Sequence, residues 1–360
     1  MKFSEIKGVF KDDSDVGRDD IMWLNAACEP FTIHGLYNPD ACTPFTRMPV
    51  PVAKAASVSV AFLNTNTAGG RVRFITDSPY IAIRAKYPAT SPGSNMTLLN
   101  SSGFDLYADI DAKSTYIRAF MPPLGMEDGY SCVVDALPGG ELVSYTINFP
   151  TYNAVDSLEI GLAQTCTIEK SKCYKYDLPV VYYGSSITQG GCASHPGNTY
   201  QAIISRELDC DYVNLGFSGS ARAEACVCEY MASLDMSVFV CDYDHNAPDT
   251  EHLLKTHRQL YDTIRLRHMN TPYIIVTKPD FENGAQENAK RREIIHKTYE
   301  YALAYGDKNV YFVDGETLFG TQLRDACTVD GCHPNDLGFA RMSAVIGPVV
   351  KVALESVYGK

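Results

Sequence analysis

From about residue 30 to residue 165, apolar and polar positions alternate along the chain. In RVRFITDSPYIAIRAKY, Val72 and Phe74 fall on one side of an extended backbone. After the turn at Asp77-Ser78-Pro79, the alternation resumes at Ile81, Ile83, Ala85 and Tyr87. SYTINF places Tyr145, Ile147 and Phe149 on one face, and SLEIGL does the same with Leu158, Ile160 and Leu162. Turn residues separate these runs, and no helical stripe of useful length intervenes. A period of two with one apolar face marks half-buried antiparallel strands, so this half predicts an all-β, jelly-roll-like sandwich.

After Asp177 the rhythm changes. Short continuous apolar runs appear: VVYY, VFVC, YIIV and VYFV. Strands covered on both faces read this way, as in a parallel sheet between layers of helices. Helical segments lie between them. Asn198 is placed to cap a helix bearing Tyr200, Ile203, Ile204 and Leu208. Leu253, His257, Leu260 and Ile264 make a second stripe, and QENAKRREIIHKTYEYALAYG a third helix that stops at Gly306. The repeated β-α order predicts a three-layer α/β/α domain. The expected division is a sandwich over 1–172 and an α/β domain over 173–360. In the α/β domain a ligand belongs at the carboxyl ends of the strands.

Charge narrows the partners. The 360 residues carry a net charge of −12, with 45% hydrophobic and 21% charged positions. Phosphate backbones and anionic membrane surfaces would be repelled, which argues against nucleic acid and membrane partners. A neutral substrate such as a sugar is unaffected. The start, MKFSEIKGVFKDDSDVGRDD, is too charged for a signal peptide, and no apolar stretch reaches the ~18 residues of a membrane span. Twelve cysteines without an export signal read as reduced thiols in the cytoplasm. Cys226 and Cys228 lack a second pair at zinc-finger spacing and read as structural thiols.

Four polar, glycine-rich corners interrupt the α/β half. Gly184-Ser185-Ser186 closes its first strand, Asn214 to Ser220 the second and Asp242 to Pro248 the third. The fourth, VDGCHPNDLG, holds Asp330 and His333 just before the last helix. A serine hydroxyl becomes a good nucleophile when an imidazole takes its proton. The imidazole works best with a carboxylate on its other nitrogen. Asp330 and His333, three apart on a loop, can aim at one point. A glycine N–H from the second corner and an amide from the third can serve a developing oxyanion.

With these blocks the chain resembles the SGNH, or GDSL, hydrolases. Gly184-Ser185-Ser186-Ile187 stands where that family has Gly-Asp-Ser-Leu/Ile, and Ser186 matches its nucleophile. Gly219 in FSG matches the oxyanion glycine, and Asp330-Gly331-Cys332-His333 matches Asp-x-x-His. In the front half, GFDLY from Gly103 to Tyr107 resembles the Gly-x-Asp-Leu-Tyr motif of the β-sandwich domain that precedes one branch of these esterases. FPTYNAVDSLEIGL also fits that domain. The resemblance spans nearly the whole chain and extends to bacterial carbohydrate esterases and a few acyltransferases.

Two positions depart from the family. Ser185 replaces an Asp that is not a triad member. The third block, normally Gly-x-Asn-Asp, reads Asp242-Tyr243-Asp244-His245-Asn246. An ungapped match puts His245 at the oxyanion position, and a shift of one residue puts Asn246 there. Asn246 is preferred, because an amide donates at every pH. Asp244 reads as a second-layer acceptor or loop cap, His257 as structural and Trp23 as packing. The Gly-Phe-Asp-Leu-Tyr motif reads as a fold feature rather than a sugar site. His195 and His245 are candidates for substrate contact, with a plain loop histidine an equal reading of His195.

The resemblance therefore implies a serine esterase. Its catalytic residues are Ser186, Asp330 and His333, and its oxyanion hole is Ser186, Gly219 and Asn246. It needs no metal or other cofactor. Its substrate is a small-molecule or oligosaccharide ester, most simply an O-acetylated carbohydrate. An acyltransferase would use the same triad. A carbohydrate-binding protein that has lost activity is the reading from another class. Acyl length, sugar and oligomeric state are not legible.

Overall fold

The computed structural model describes residues 16–90, 93–136, 140–279, 282 and 284–359. Most of the charged N-terminal stretch weighed above against a signal peptide lies outside them. The chain divides into two units.

Among the described residues, the first unit holds ten strands: β1 Ile21–Asn25, β2 Thr32–His34, β3 Arg71–Thr76, β4 Tyr80–Lys86, β5 Phe104–Ile110, β6 Lys113–Phe120, β7 Gly129–Asp135, β8 Val143–Asn148, β9 Ser157–Ala163 and β10 Ile168–Lys170. All pair antiparallel, in one sheet ordered β1-β9-β4-β7 and another ordered β10-β3-β8-β5-β6, with β2 on β3. The expected alternation holds. Val72, Phe74, Ile81, Ile83, Tyr145, Ile147, Leu158 and Ile160 all lie in one buried core with Trp23, whose ring also carries the Arg84 guanidinium 4.3 Å above it.

Between residues 30 and 165 the helices are short, as the lack of a helical stripe of useful length implies. Short helices α1 Val50–Ala56 and α2 Val58–Leu63 interrupt the run. Pro51 sits at the permissive start of α1, and Ser57 caps α2 by accepting from the Val60 N–H. Each is too short for a legible apolar stripe. Both belong to the second unit, where Met48, Ala53, Val60 and Leu63 join its core. A further one-turn helix, α3 Leu98–Ser102, stays in the sandwich unit and leads into β5.

The second unit is built on β11 Tyr176–Gly184, β12 Cys210–Gly216, β13 Val238–Asp242, β14 Tyr273–Val276 and β15 Val310–Val313. They form one parallel sheet ordered β12-β11-β13-β14-β15. This is the doubly wound order of flavodoxin-like folds, whose switch point lies beside the first strand, here β11. Besides α1 and α2, its helices are α4 Ser186–Gln189, α5 Tyr200–Leu208, α6 Ala225–Ala232, α7 Thr250–Arg267, α8 Ala285–Ala304 and α9 Asp336–Tyr358. Two buried clusters account for the unbroken apolar runs of the strands. Val181, Tyr183, Phe239, Cys241 and Ile275 join one, and Val180, Tyr182, Val238, Val240 and Ile274 the other.

Two sequence expectations are corrected. The cap of α5 is Thr199, not Asn198, because Pro196–Asn198 form a 3₁₀ turn of their own. An apolar segment of spanning length does exist: α9 is long and apolar enough to cross a membrane by length and composition. In this fold it turns Phe339, Met342, Ile346, Val350 and Leu354 into the core.

The unit boundary falls between Cys173 and Tyr174, but the chain crosses it more than once. Residues 48–64 belong to the second unit, and Ser194–Gly197 belong to the first. All twelve cysteines are unbridged.

Candidate active site

The end of β11 is shaped for close approach. Gly184 pairs with Gly216 of β12 and with Asp242 of β13. A Cβ on Gly184 would collide with Thr188 Oγ1 and the Asp242 carbonyl, and one on Gly216 with the backbone of Gln189. Bare glycines let the turn after β11 lie flush on the sheet. There Ser185 caps α4, its hydroxyl accepting from the Ile187 N–H at 3.2 Å. Serine caps a helix about as well as aspartate, which gives the departure at Ser185 a local physical role. Ser186 is the first residue of α4 and is buried.

Beyond Ser186, α4 is tied down at several points. Thr188 and Tyr200 donate to Asp242 Oδ2 at 2.8 and 3.1 Å. The side-chain amides of Gln201 and Asn214 both donate to the Thr188 carbonyl at 2.7 Å. Gln189 accepts from the Ser218 N–H at 2.9 Å. Burial pushes the Asp242 carboxyl up to about 6, against the pull of its Thr188 hydrogen bond.

The fourth corner, between β15 and α9, closes on itself. The Val329 N–H donates to the His333 carbonyl at 2.9 Å, and Thr328 bridges Pro334. Asp330 Oδ1 accepts from the N–H groups of Cys332 and His333 at 3.1 and 2.8 Å. Its Oδ2 lies 2.8 Å from His333 Nδ1. The other ring nitrogen, Nε2, lies 2.8 Å from Ser186 Oγ. These partners assign the tautomer: Nδ1 carries the proton towards Asp330, and Nε2 presents its lone pair to the serine. Serine, imidazole and carboxylate therefore form one line from two loops, the arrangement that activates a serine for acyl transfer.

Residues 177–351 match the family model described as GDSL-like lipase/acylhydrolase. The C-terminal unit belongs to the GDSL-like lipase/acylhydrolase family. Residues 21–168 match the GxDLY model, the N-terminus of SGNH-hydrolase-type esterases, so the hydrolase carries this domain in front. A Bacteroides ovatus protein described as a GDSL-like lipase is 29% identical over 93% of this chain and 98% of its own, with a TM-score of 0.83. The salicylyl-acyltransferase of a tetracycline biosynthetic pathway is 20% identical over 94% and 99%, with a TM-score of 0.77. A family two carbohydrate esterase from Cellvibrio japonicus is 12% identical over 93% and 98%, with a TM-score of 0.59. The last two share the fold. No curated protein matches the chain in sequence.

The hydrolase places the oxyanion candidates around the same sheet edge. Gly219 turns at φ +65°, a left-handed conformation suited to glycine. Asn246 reaches the same turn, its Nδ2 donating to the Phe217 carbonyl at 2.8 Å. An amide has two N–H groups, so this bond leaves the other for a ligand. His245 points its Nδ1 at Cys332 Sγ, 4.0 Å away, on the triad loop.

His195 sits in the sandwich unit. Its Nδ1 is 2.6 Å from Asp105 Oδ2, which also accepts from the Gly197 N–H at 2.6 Å, while Asp105 Oδ1 accepts from Asn148 at 2.6 Å. The ring stacks on Tyr116 with centroids 4.9 Å apart. The Gly-Phe-Asp-Leu-Tyr motif thus does packing work. Gly103 leaves no room for a Cβ against Leu99, Asp105 gathers three donors, and Tyr107 lies against Gly197.

His257 is fully buried between Thr298, 2.9 Å from Nδ1, and Cys241, and burial lowers its pKa to about 4. The sequence reading missed Arg291. From α8 it donates through Nε to Asp244 Oδ1 at 2.7 Å and through one terminal nitrogen to the Asp244 and Ala247 carbonyls, the latter at 3.0 Å. It clamps the loop that carries His245 and Asn246. A cleft of about 580 Å³ along α8 and β15, lined by Arg292, His296, Phe312 and Asp314, contains no triad residue.

Proposed function

We propose that this hydrolase removes short acyl groups, most simply acetyl, from a carbohydrate ester through an acyl-enzyme. The observation that carries the chemistry is the pair of 2.8 Å contacts flanking the His333 ring. Ser186 Oγ attacks the ester carbonyl while His333 Nε2 takes its proton. The N–H groups of Ser186 and Gly219 and the Asn246 amide receive the oxyanion. The tetrahedral adduct collapses, and Nε2 returns the proton to the leaving sugar hydroxyl. Water then attacks the acyl carbon as Nε2 takes its proton, and Nε2 returns that proton to Ser186 Oγ as the Oγ–acyl bond breaks and the acid leaves. Asp330 holds the ring and stabilises the imidazolium throughout. The carbohydrate is suggested by the fold shared with the Cellvibrio japonicus carbohydrate esterase, and the acetyl group by the fold shared with an acetyl xylan esterase from Butyrivibrio proteoclasticus.

An acyltransferase would use the same three side chains and replace water by a second alcohol. The decisive assay therefore counts both products. Acetylated mono-, oligo- and polysaccharides are supplied beside short p-nitrophenyl esters, with and without added sugar acceptors. Acetate release that is unchanged by acceptors, with a preference for a sugar ester over the p-nitrophenyl baseline, is the expected result. Acyl transfer outrunning acetate release would replace hydrolase by transferase. A chain whose Ser186 escapes a serine-directed fluorophosphonate would be a non-catalytic binder.

A further inference from the structure

The triad has a fourth chemical neighbour. Cys192 follows the Gly190-Gly191 pair that ends α4, and its thiol is buried. Cys192 Sγ, an Asp330 carboxylate oxygen and a His333 ring nitrogen all lie within 4.8 Å of one another. We propose that Cys192, Asp330 and His333 form a binding site for a soft divalent cation, Zn²⁺ or Cd²⁺, and that its occupation switches the hydrolase off. The switch rests on the reading of Ser186, His333 and Asp330 as the working triad; the site itself does not.

The donor set selects the class of ion. One thiolate, one imidazole and one carboxylate suit zinc and cadmium and exclude magnesium and calcium, which take oxygen ligands. Three protein donors leave the fourth tetrahedral position to water. Metal–ligand bonds of ~2.0–2.3 Å put donors in a tetrahedral shell roughly 3.3–3.8 Å apart. The 2.8 Å Asp330–His333 contact must therefore open slightly, and the thiol, within 4.8 Å of both, moves in by no more than about 1.5 Å on the same bond-length reasoning. The triad loop is already held by its own backbone bonds, so two of the three donors are preorganised.

Binding and catalysis compete for the same atoms. The cation displaces the thiol proton of Cys192, which leaves for solvent, and a sulfur–metal bond forms. If His333 binds through Nδ1, the ring proton moves to Nε2, and the base facing Ser186 becomes a donor. If it binds through Nε2, the lone pair that takes the serine proton is used up. Either way Ser186 keeps its proton and acylation stops.

The test uses the full-length chain in chelator-free, thiol-free buffer. Micromolar Zn²⁺ is expected to inhibit ester hydrolysis, and EDTA to restore it. Cys192→Ala should stay active without metal. Its inhibition constant for Zn²⁺ should rise more than about 10-fold, the scale on which even outer partners of a metal act. Cys192→Gly, compatible with the left-handed φ of +75° at this position, covers the case in which the alanine variant does not fold. Binding is read separately from activity. Ser186→Ala, which cannot turn over, should show the ultraviolet charge-transfer band of a cadmium–thiolate bond, and Ser186→Ala/Cys192→Ala should lose it. Cys332→Ala should leave both readouts unchanged. Equal inhibition of wild type and Cys192→Ala, or a cadmium band that survives loss of Cys192, would overturn the site. If no ester is hydrolysed, the band alone decides it, so failure of the esterase reading and failure of the site are distinct results.

Discussion

Replacing Arg291 by methionine keeps most of the side-chain volume and removes the charge. What remains is the Asp244 carboxylate, whose side chain is 1% exposed. The Lys278 N–H, 3.2 Å from the other oxygen, still donates to it. The carbonyls of Asp244 and Ala247 also lose the guanidinium. Breaking a buried pair from one side costs about 3–5 kcal/mol, because the other charge stays buried and uncompensated. For a unit of about 200 residues, each kcal/mol lowers the melting temperature by roughly 2–4 °C, so the variant should melt about 6–20 °C below wild type. The double variant Asp244→Asn/Arg291→Met should be less destabilised than Arg291→Met alone, since no charge is stranded. Urea unfolding of the three proteins gives the comparison. Turnover measured well below all transitions should also fall in Arg291→Met, because the loop it clamps carries Asn246. An Arg291→Met protein within about 1 kcal/mol of wild type, the value of an exposed pair, would refute the reasoning. So would a double variant no more stable than Arg291→Met alone.

Three further outcomes follow from the site. Ser186→Ala and His333→Ala should each lower kcat by about 10⁴-fold or more with little change in melting, as members of a triad that acts as a unit; near-normal turnover in either would sink the mechanism. Asn246→Ala should lower kcat roughly 10²–10³-fold at nearly constant KM, because a donor aimed at the oxyanion acts only in the transition state. His245→Ala should do less, and the reverse ranking would move the oxyanion role to His245. His257, held neutral by burial, binds its proton near pH 4 when folded and near 6.5 when unfolded. Its stabilisation is therefore complete above pH 6.5 and lost as pH falls towards 4, a change on the order of 3 kcal/mol. His257→Asn should accordingly be most destabilised relative to wild type at pH 7 and least at pH 4; a gap in urea midpoints that does not narrow with acid would contradict this.

The parts legible in the sequence were those that a single element encodes. The alternation of β3, β4, β8 and β9 reports one buried face. The unbroken VVYY and VFVC runs report burial on two. Glycine-rich corners are visible because they cut those runs short, and Asp330 and His333 are three residues apart in one loop. What escaped depends on distant partners. Arg291 lies in AKRREIIHK, where three consecutive basic residues look equally solvated. Only the topology shows that one of them faces a loop 47 positions earlier. Nothing in the sequence around Asp242 announces Thr188 and Tyr200, whose hydroxyls reach it only through the fold. The choice between His245 and Asn246 turns on a single residue of spacing, which the sequence alone does not decide.

The exchanged segments bear on how such a chain is made and inherited. A ribosome that has released residue 173 has finished every strand of the sandwich. Yet Asp105, fully buried, still lacks two of its three donors, which arrive only with His195 and Gly197. In the other direction, a gene fragment beginning at residue 174 omits Met48, Val60 and Leu63 from the core that its product must build. Neither half is a self-sufficient module. Recombination that swaps one for a foreign counterpart would need crossovers at several points at once, so the two halves should travel through evolution as a single heritable piece.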